Sequence, residues 1–395
     1  MRVAIQPDDY GGRNTPRHDS SSPRWAATLE RAGHEVLWVD VCANDLLSRL
    51  DGCDGFMWRH GHLSWMRQIA RRILPVIEHE LGLAVYPDQQ TCWHYDDKLA
   101  QKYLLEAAGV PTPRTRVFWR GGEPIDQWLS SVTFPVVAKL SSGAGSSNVR
   151  LLRDAQQARQ LAERLMNEGM FSLDEEHTTR PDGHFWDYHR DYVLLQEFLP
   201  ANAFDTRVTV IGGRAFAFRR LNRPDDFRAS GSGLIDHDPG AIDPAAVRLA
   251  LDAAHRLGAQ SLAFDILRAG DQPVVVETSY TYTSWTVHAC PGHWTLAPRG
   301  ENRPAFDRRC IPRGGVAPPS NTPGILGRHA LPGGRLACLG ATADFHHGPL
   351  ADDPGVHAAG EPRRLVWHDG HTWPEEAQAY DFLARLERRS TEVAA

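Results

Sequence analysis

An α/β protein of two or three domains is predicted by three features of the sequence. Strand and helix patterns alternate through the leading segment, up to about residue 81. An antiparallel hairpin is centred near Asp271. The 395 residues, 42% of them hydrophobic and 23% charged, are enough for more than one sizeable core.

The leading segment reads as a strand over Met1–Gln6, a helix over Pro23–Ala32, strands at Glu35–Val39 and Gly55–Trp58, and a helix from Gln68 to Leu81. This pattern describes a small α/β layer with a parallel sheet. Asp8-Asp-Tyr-Gly-Gly12 follows the first strand, where such folds place ligands. Arg59, His60 and His62 follow the third strand, and the plainer reading of them is a polar loop.

A helix then opens at Lys98, capped by Asp96 or Asp97, carried by Leu99–Ala108 and stopped by Gly109 before Pro111 and Pro113. Lys98 in the first turn opposes the helix dipole, a local conflict that suits either a functional or a solvated lysine. Phe134–Lys139 reads as a buried strand ending in a second lysine. The small residues Ser141, Ser142, Gly143, Ala144, Gly145, Ser146, Ser147 and Asn148 follow it. Only small side chains let a backbone close over phosphates with its N–H groups inward, although such a loop taken alone is more often a flexible connection. In a Walker A loop the lysine follows the glycines, and here it precedes them. Gly143-Ala-Gly145 also lacks the third glycine of a dinucleotide fingerprint.

Residues 167–191 are polar and aperiodic, which suits a lid, a specificity insert or a loop. Tyr192–Leu199 is an apolar strand that includes Gln196, Glu197 and Phe198. Asp205–Ile211 and Arg214–Arg220 are strands joined by Gly212-Gly213. The loop Asp226–Gly233 is glycine-rich, and Arg219, Arg220 and Arg228 gather near it, which suits binding of a phosphate or transferring phosphoryl group, with a nucleic-acid groove as the alternative.

The hairpin pairs Ser261–Leu267 with Pro273–Glu277. If it is symmetric about Asp271, Asp265 faces Glu277 with Cβ atoms about 5 Å apart. Two acids so placed repel and lose hydration, so a divalent cation between them accounts for the pair. The alternative is one acid in solvent and the other ending a strand. Ser279 shares the face of Glu277 by the period-2 rule.

Beyond Cys290 the chain is rich in proline and glycine, notably at Pro312–Pro319, which reads as a linker. Apolar patterning returns at Arg335–Leu339, and a helix runs from Pro374 to about Arg389. His346, His347, His368 and His371 have no metal-site spacing. Six cysteines, at 42, 53, 92, 290, 310 and 338, form no C-x-x-C pair, which is the pattern of reduced thiols in a cytoplasmic protein. The opening strand is too short for a signal peptide, and no apolar stretch reaches membrane length. A net charge of −6 with no basic run argues against a nucleic-acid partner.

In this order the motifs resemble the ATP-grasp superfamily of carboxylate–amine ligases, and most of all its ribosomal-protein glutamate ligase branch. The resemblance spans about residues 90 to 290 and is weaker over 1–90. Asp96-Asp-Lys98 resembles the family's first nucleotide lysine and Lys139 its second. Ser141–Asn148 resembles the loop over the triphosphate, and Gln196-Glu-Phe-Leu199 the hinge whose backbone reads adenine. Asp205-Thr-Arg207 is similar to an Asp-x-Arg element whose aspartate binds ribose. Asp226-Phe-Arg-Ala-Ser230 is similar to the branch's nucleotide loop, and the longer run to Gly233 to uncharacterised ATP-grasp chains of surface-polysaccharide clusters.

The resemblance implies ATP and Mg2+ as cofactors, with Asp265, Glu277 and Ser279 at the metal. The family pattern is Glu-x-Asn, whereas this chain has Glu277-Thr-Ser279, and a serine hydroxyl is the weaker ligand. It also implies an ATP-grasp domain over 91–295 with a nucleotide lid at about 112–190. A small parallel-sheet α/β domain precedes it over 1–90, and a linker and C-terminal appendage follow over 296–395. The leading domain would contribute Arg59, His60 and His62 to an acceptor site. The implied partners are a small-molecule carboxylate and an amine, joined through an acyl phosphate, with a homodimer allowed for. Two other readings remain open at this point, a small-molecule kinase and a nucleotide-binding regulatory module without turnover.

Overall fold

The computed structural model describes residues 1–8, 20–143, 145–173, 187–297 and 363–394. The chain divides into two compact units, one of Met1–Thr295 with Leu365–Ala395 and one of Leu296–Arg364. In the second unit the Ala297 amide donates to the Arg364 carbonyl at 2.8 Å. The 312–319 and 335–339 stretches, Cys310, Cys338, His346, His347 and residues 9–12 lie outside the described residues.

The leading sheet is formed by β1 (Arg2–Ile5), β2 (Glu35–Trp38), β3 (Gly55–Met57) and β4 (Ala84–Tyr86). Its order is β2-β1-β3-β4 and every pairing is parallel, as the alternation of the sequence predicts. The strand β4 is not evident in the sequence, because three residues carry too little alternation to read. Helix α1 (Ser22–Arg31) is followed by the short α2 (Leu46–Arg49) and by α3 (Ser64–Pro75). Asp8 caps the start of α1, its carboxylate accepting from the amides of Ser21 at 2.9 Å and Ser22 at 2.7 Å. The helix expected at Gln68–Leu81 begins at Ser64 and loosens over Val76–Glu80, since Pro75 has no N–H for the ladder.

After α4 (Gln89–Cys92) and α5 (Lys98–Ala107) comes a second sheet, of β5 (Thr115–Trp119), β6 (Val136–Lys139), β7 (Val149–Leu152) and β8 (Tyr192–Glu197). Its order is β5-β8-β6-β7, antiparallel throughout. Helices α6 (Ile125–Leu129) and α7 (Ala155–Asn167) cover it, and Phe118, Trp128, Val136, Leu165 and Val193 fill the core between them.

The third sheet contains β9 (Phe204–Ile211), β10 (Arg214–Leu221), β11 (Ile235–Asp236), β12 (Ser261–Ala269), β13 (Gln272–Ser279), β14 (Gly292–Leu296) and β15 (Leu365–Asp369). Its order is β13-β12-β9-β10-β14-β15, with β11 added on β10. Helix α8 (Pro244–Leu257) packs on it and α9 (Ser284–His288) follows the hairpin.

The last element, α10 (Pro374–Ala394), corrects the expectation of a separate appendage over its length. Ala379, Phe382, Leu383 and Leu386 recur at helical spacing and are buried with Val3, Ile5, Trp25, Leu29 and Met57 of the leading layer. Trp25 Nε1 donates to Gln378 Oε1 at 2.9 Å. Gly55 is required beneath this helix, because a Cβ there would stand 2.7 Å from Phe382 Cζ.

Candidate active site

Asp265 and Glu277 are register partners across β12 and β13, as the sequence predicts, but the hairpin that pairs them is not symmetric about Asp271. Near the turn Ala269 faces Gln272 and Ile266 faces Val275, one step out of the expected register. An irregularity between Asp265 and Ile266 leaves Val276 as an extra residue, and this bulge returns Asp265 to Glu277. Ser279 ends β13 opposite Ala263, two residues beyond Glu277 and on its face. Its hydroxyl donates to the Thr281 carbonyl at 2.6 Å.

The same face carries a buried ring of charges. Asp265 faces Arg207 on β9 and Asp205 faces Arg220 on β10. Arg207 binds Asp265 through both carboxylate oxygens, at 2.7 and 2.8 Å, and Arg220 Nη2 reaches Asp265 Oδ2 at 2.7 Å. Arg220 also grips Asp205 at 2.8 and 2.6 Å. Burial penalises the Asp265 carboxylate, but the two guanidinium groups outweigh that and hold it well below the ordinary carboxylate range. Asp205, expected to bind ribose, is thus buried and bonded to Arg220. Arg219 is brought to neither acid. Consecutive strand residues point to opposite faces, and Arg219 pairs with Asp236 at 3.0 Å and lies over the Phe204 ring.

Lys98 sits at the first position of α5, where Asp97 caps the helix by accepting from the Ala100 amide at 3.1 Å. Its Nζ lies 3.3 Å from Glu277 Oε1 and donates to the Gly143 carbonyl at 3.1 Å. Burial lowers the basicity of Lys98, yet Glu277 and Asp96 more than reverse it, leaving the ammonium above the ordinary lysine value. Lys139 ends β6 with Nζ 3.4 Å from the Val276 carbonyl. Burial, helped by Lys98 and opposed by Glu277 and Asp265, takes it down to about 8.

The loop after Lys139 is anchored along its first half. The Ser141 amide donates to Tyr192 Oη at 2.8 Å and the Gly143 amide to Asp96 Oδ1 at 2.9 Å. Asn148, fully buried, returns a hydrogen bond to the Ser142 carbonyl at 2.7 Å and closes the loop on itself. Those two amides therefore have protein partners, and Gly145, Ser146 and Ser147 lie beyond them in the loop. Gly145 at φ +63° has open space around its Cα, while Ser147 Oγ is buried with no partner.

The second glycine-rich loop meets the first. Arg223, which sequence reasoning did not single out, donates to the Gly145 carbonyl at 2.9 Å and to the Ser230 carbonyl at 3.0 Å. Arg228 is held by Asp226 within its own loop at 2.7 Å, and its Nη1 reaches the Ser146 carbonyl at 3.4 Å. In the expected hinge, Gln196 and Glu197 are still in the ladder of β8 and Gln196 Nε2 donates to Thr115 Oγ1 at 2.9 Å. Phe198 leaves the strand and meets Phe227 edge-on at 5.8 Å. Leu199 follows, its carbonyl accepting from Asn202 at 3.3 Å.

These residues fit a hard divalent cation. The donors are all oxygen, and a carboxylate oxygen has about two acceptor sites. Asp265 Oδ2 accepts from both arginines while Oδ1 accepts from one, so one site of Asp265 remains. Among the described residues no group of three His, Cys, Asp or Glu side chains forms a ready-made cage. Magnesium is commonly held by one or two carboxylates and completed by substrate phosphates, which suits this sparse set.

Residues 95–282 match the family model described as a RimK-like ATP-grasp domain, so this part of the chain is an ATP-grasp domain. The chain is 30% identical over 190 residues to a probable alpha-L-glutamate ligase 2 of Pseudoalteromonas atlantica, a match covering 46% of this chain and 54% of that one. It is 29% identical over 186 residues to a probable alpha-L-glutamate ligase of Thioalkalivibrio sulfidiphilus, with the same two coverages of 46% and 54%. The chain thus spans about half the length of the curated relatives it matches. A RimK domain ATP-grasp protein from Sphaerobacter thermophilus superposes with a TM-score of 0.46 at 20% identity, over 73% of this chain and 95% of that one.

Proposed function

We propose that the chain is an ATP- and magnesium-dependent, ADP-forming ligase that makes an amide from a small-molecule carboxylate and an amine. The observation that carries this reading is the position of Lys98. One ammonium, 3.1 Å from the Gly143 carbonyl and 3.3 Å from Glu277, joins the small-residue loop to the hairpin acids. Lys98, Lys139 and the Ser141–Asn148 loop receive the triphosphate, and the segment at about 112–190 acts as its lid. Gln196–Leu199, Asp205 and Ser230 border the nucleoside. Asp265 and Glu277, with Ser279 beside them, would hold magnesium, which when bound neutralises charge on the β- and γ-phosphates.

The substrate carboxylate attacks the γ-phosphorus and ADP leaves, giving an acyl phosphate. Arg220, on the face of the two acids, is the arginine of this step, with Arg228 reaching it from the second loop. The amine nitrogen then attacks the acyl carbon, the C–O bond to phosphate breaks, and the ammonium proton is lost to solvent. No residue of the chain forms a covalent bond. Loop closure excludes the water that would hydrolyse the acyl phosphate. A cytoplasmic location belongs to the same reading, and among the described residues no helix is long and apolar enough to cross a membrane.

A second reading, a nucleotide-binding module without turnover, is favoured by Ser279, whose hydroxyl is engaged by the Thr281 carbonyl at 2.6 Å. One assay separates the possibilities. Incubation with ATP, magnesium, a panel of carboxylates and hydroxylamine is expected to yield ADP, phosphate and a hydroxamate, because hydroxylamine traps acyl phosphates. Phosphate retained on an organic product overturns the ligase in favour of a kinase. ATP binding without consumption on any substrate favours the regulatory module.

A further inference from the structure

Beneath the small-residue loop lies a buried imidazole that the proposed chemistry does not use. His189 is 2% exposed, and its backbone is pinned by a two-way bridge to Met170 at 2.8 and 2.9 Å. Its Nδ1 is 2.8 Å from Tyr192 Oη and 3.3 Å from Ser141 Oγ, and its Nε2 is 3.4 Å from Ser142 Oγ. Tyr192 Oη already accepts from the Ser141 amide at 2.8 Å. The shortest of these contacts define a relay that starts at the tyrosine hydroxyl. The tyrosine proton goes to Nδ1, Nε2 carries the ring proton and donates to Ser142, and Ser142 donates to the Asp187 carboxylate.

That chain runs on to the leading layer. Asp187 pairs with Arg67 on α3, and Arg67 Nε is 3.7 Å from Asp96 Oδ2, the carboxylate that accepts from the Gly143 amide. Ser141, Ser142 and Gly143 are thus each held from outside the loop, by Tyr192, by His189 with Asp187, and by Asp96. A hinged flap needs such a fixed root, because only the residues beyond it should move when the ligand arrives.

The geometry points to His189 and Tyr192 as positioning residues that root the small-residue loop, so that its second half closes on the terminal phosphates. Neither touches the ligand. The inference rests on the nucleotide reading given above, and it adds which residues set the conformation of the loop.

Calorimetric binding of ATP with magnesium, and of adenosine alone, tests it on the full chain. Tyr192→Phe removes one hydroxyl and His189→Phe removes both ring nitrogens. Each should weaken ATP about tenfold, the worth of a buried hydrogen bond, and leave adenosine unchanged, since adenosine has no phosphates for the loop to cover. The double variant should lose little more than either single one, because the two side chains act in one relay. A folded Tyr192→Phe protein with wild-type ATP affinity overturns the inference, as does an equal loss for adenosine, which marks a merely structural role. If the wild-type chain binds no ATP, the nucleotide reading itself has failed and this inference with it.

Discussion

Asp265 faces Glu277 because Val276 is an extra residue in β13. Without that bulge the register set by the turn at Gly270-Asp271 would put Asp265 opposite Val276, and Glu277 would point to the other face. The consequence is a face on which Lys98, Lys139, Arg207 and Arg220 meet Asp96, Asp205, Asp265 and Glu277. A ligand bearing several negative charges together with a divalent cation suits such a balanced set.

Glu277→Gln tests the metal assignment. The amide keeps the shape but removes the charge that faces Lys98 and the cation, so turnover should fall by orders of magnitude while the fold survives. Magnesium-dependent ATP consumption at the wild-type rate would falsify the assignment.

Arg219 and Arg220 are adjacent in sequence and opposite in consequence. Arg220→Ala leaves Asp205 and part of Asp265 uncompensated in a buried ring, which should cost about 3–5 kcal/mol and abolish activity. Arg219→Ala removes a partly exposed pair with Asp236 and should cost about 1 kcal/mol or less with turnover retained. Thermal melts and a single assay on both variants are enough, and equal losses would show that the two side chains share a face after all.

Ser279→Asn restores an amide oxygen beside Glu277. The magnesium concentration for half-maximal activity should drop, with ATP affinity intact. Lost nucleotide affinity in this variant would mean that the bond from Ser279 to Thr281 matters more than the metal.

Three buried histidines predict an acid-labile fold. Burial lowers His60 to about 3 and His94 and His189 to about 4, from an ordinary value of 6.5. Between those values the unfolded chain binds more protons than the native one, so stability is full above the ordinary value and is lost as pH falls through the window. Urea denaturation at steps from about pH 7 to pH 5 should show this slope, shallower in His189→Phe by up to about 1.4 kcal/mol per pH unit. A slope unchanged in that variant would mean that His189 is solvated or charged in the native state.

Gly55→Ala tests the place of α10. The new methyl would strike the Phe382 ring and should destabilise the chain by about 1–3 kcal/mol. Adding Phe382→Leu should recover part of the loss, and an additive penalty would separate the two sites.

The alternation of strand and helix before residue 90 and the hairpin between Ser261 and Glu277 were legible because each is a local pattern. A strand buried in a parallel layer or a two-stranded ribbon shows its periodicity within its own residues. The two lysines and the small-residue loop were legible for a similar reason, since backbone closure over an anion demands small side chains in a row. The bulge at Val276 escaped notice because the symmetric and the bulged hairpins lead to the same pair of acids.

What only the tertiary structure decided are relationships between segments far apart in the chain. Nothing local told Arg220 from Arg219, because the face of a strand is assigned by its neighbours, here Asp205 on β9 and Asp265 on β12. The return of α10 to cover Gly55, and the relay from Tyr192 through His189 to Arg67, join residues too distant for any periodicity to reveal. By itself the sequence determined the elements, the small-residue loop and the acid pair, which depend on local stereochemistry and spacing. The tertiary structure decided which charges share a buried face, because burial and pairing belong to the packed chain as a whole.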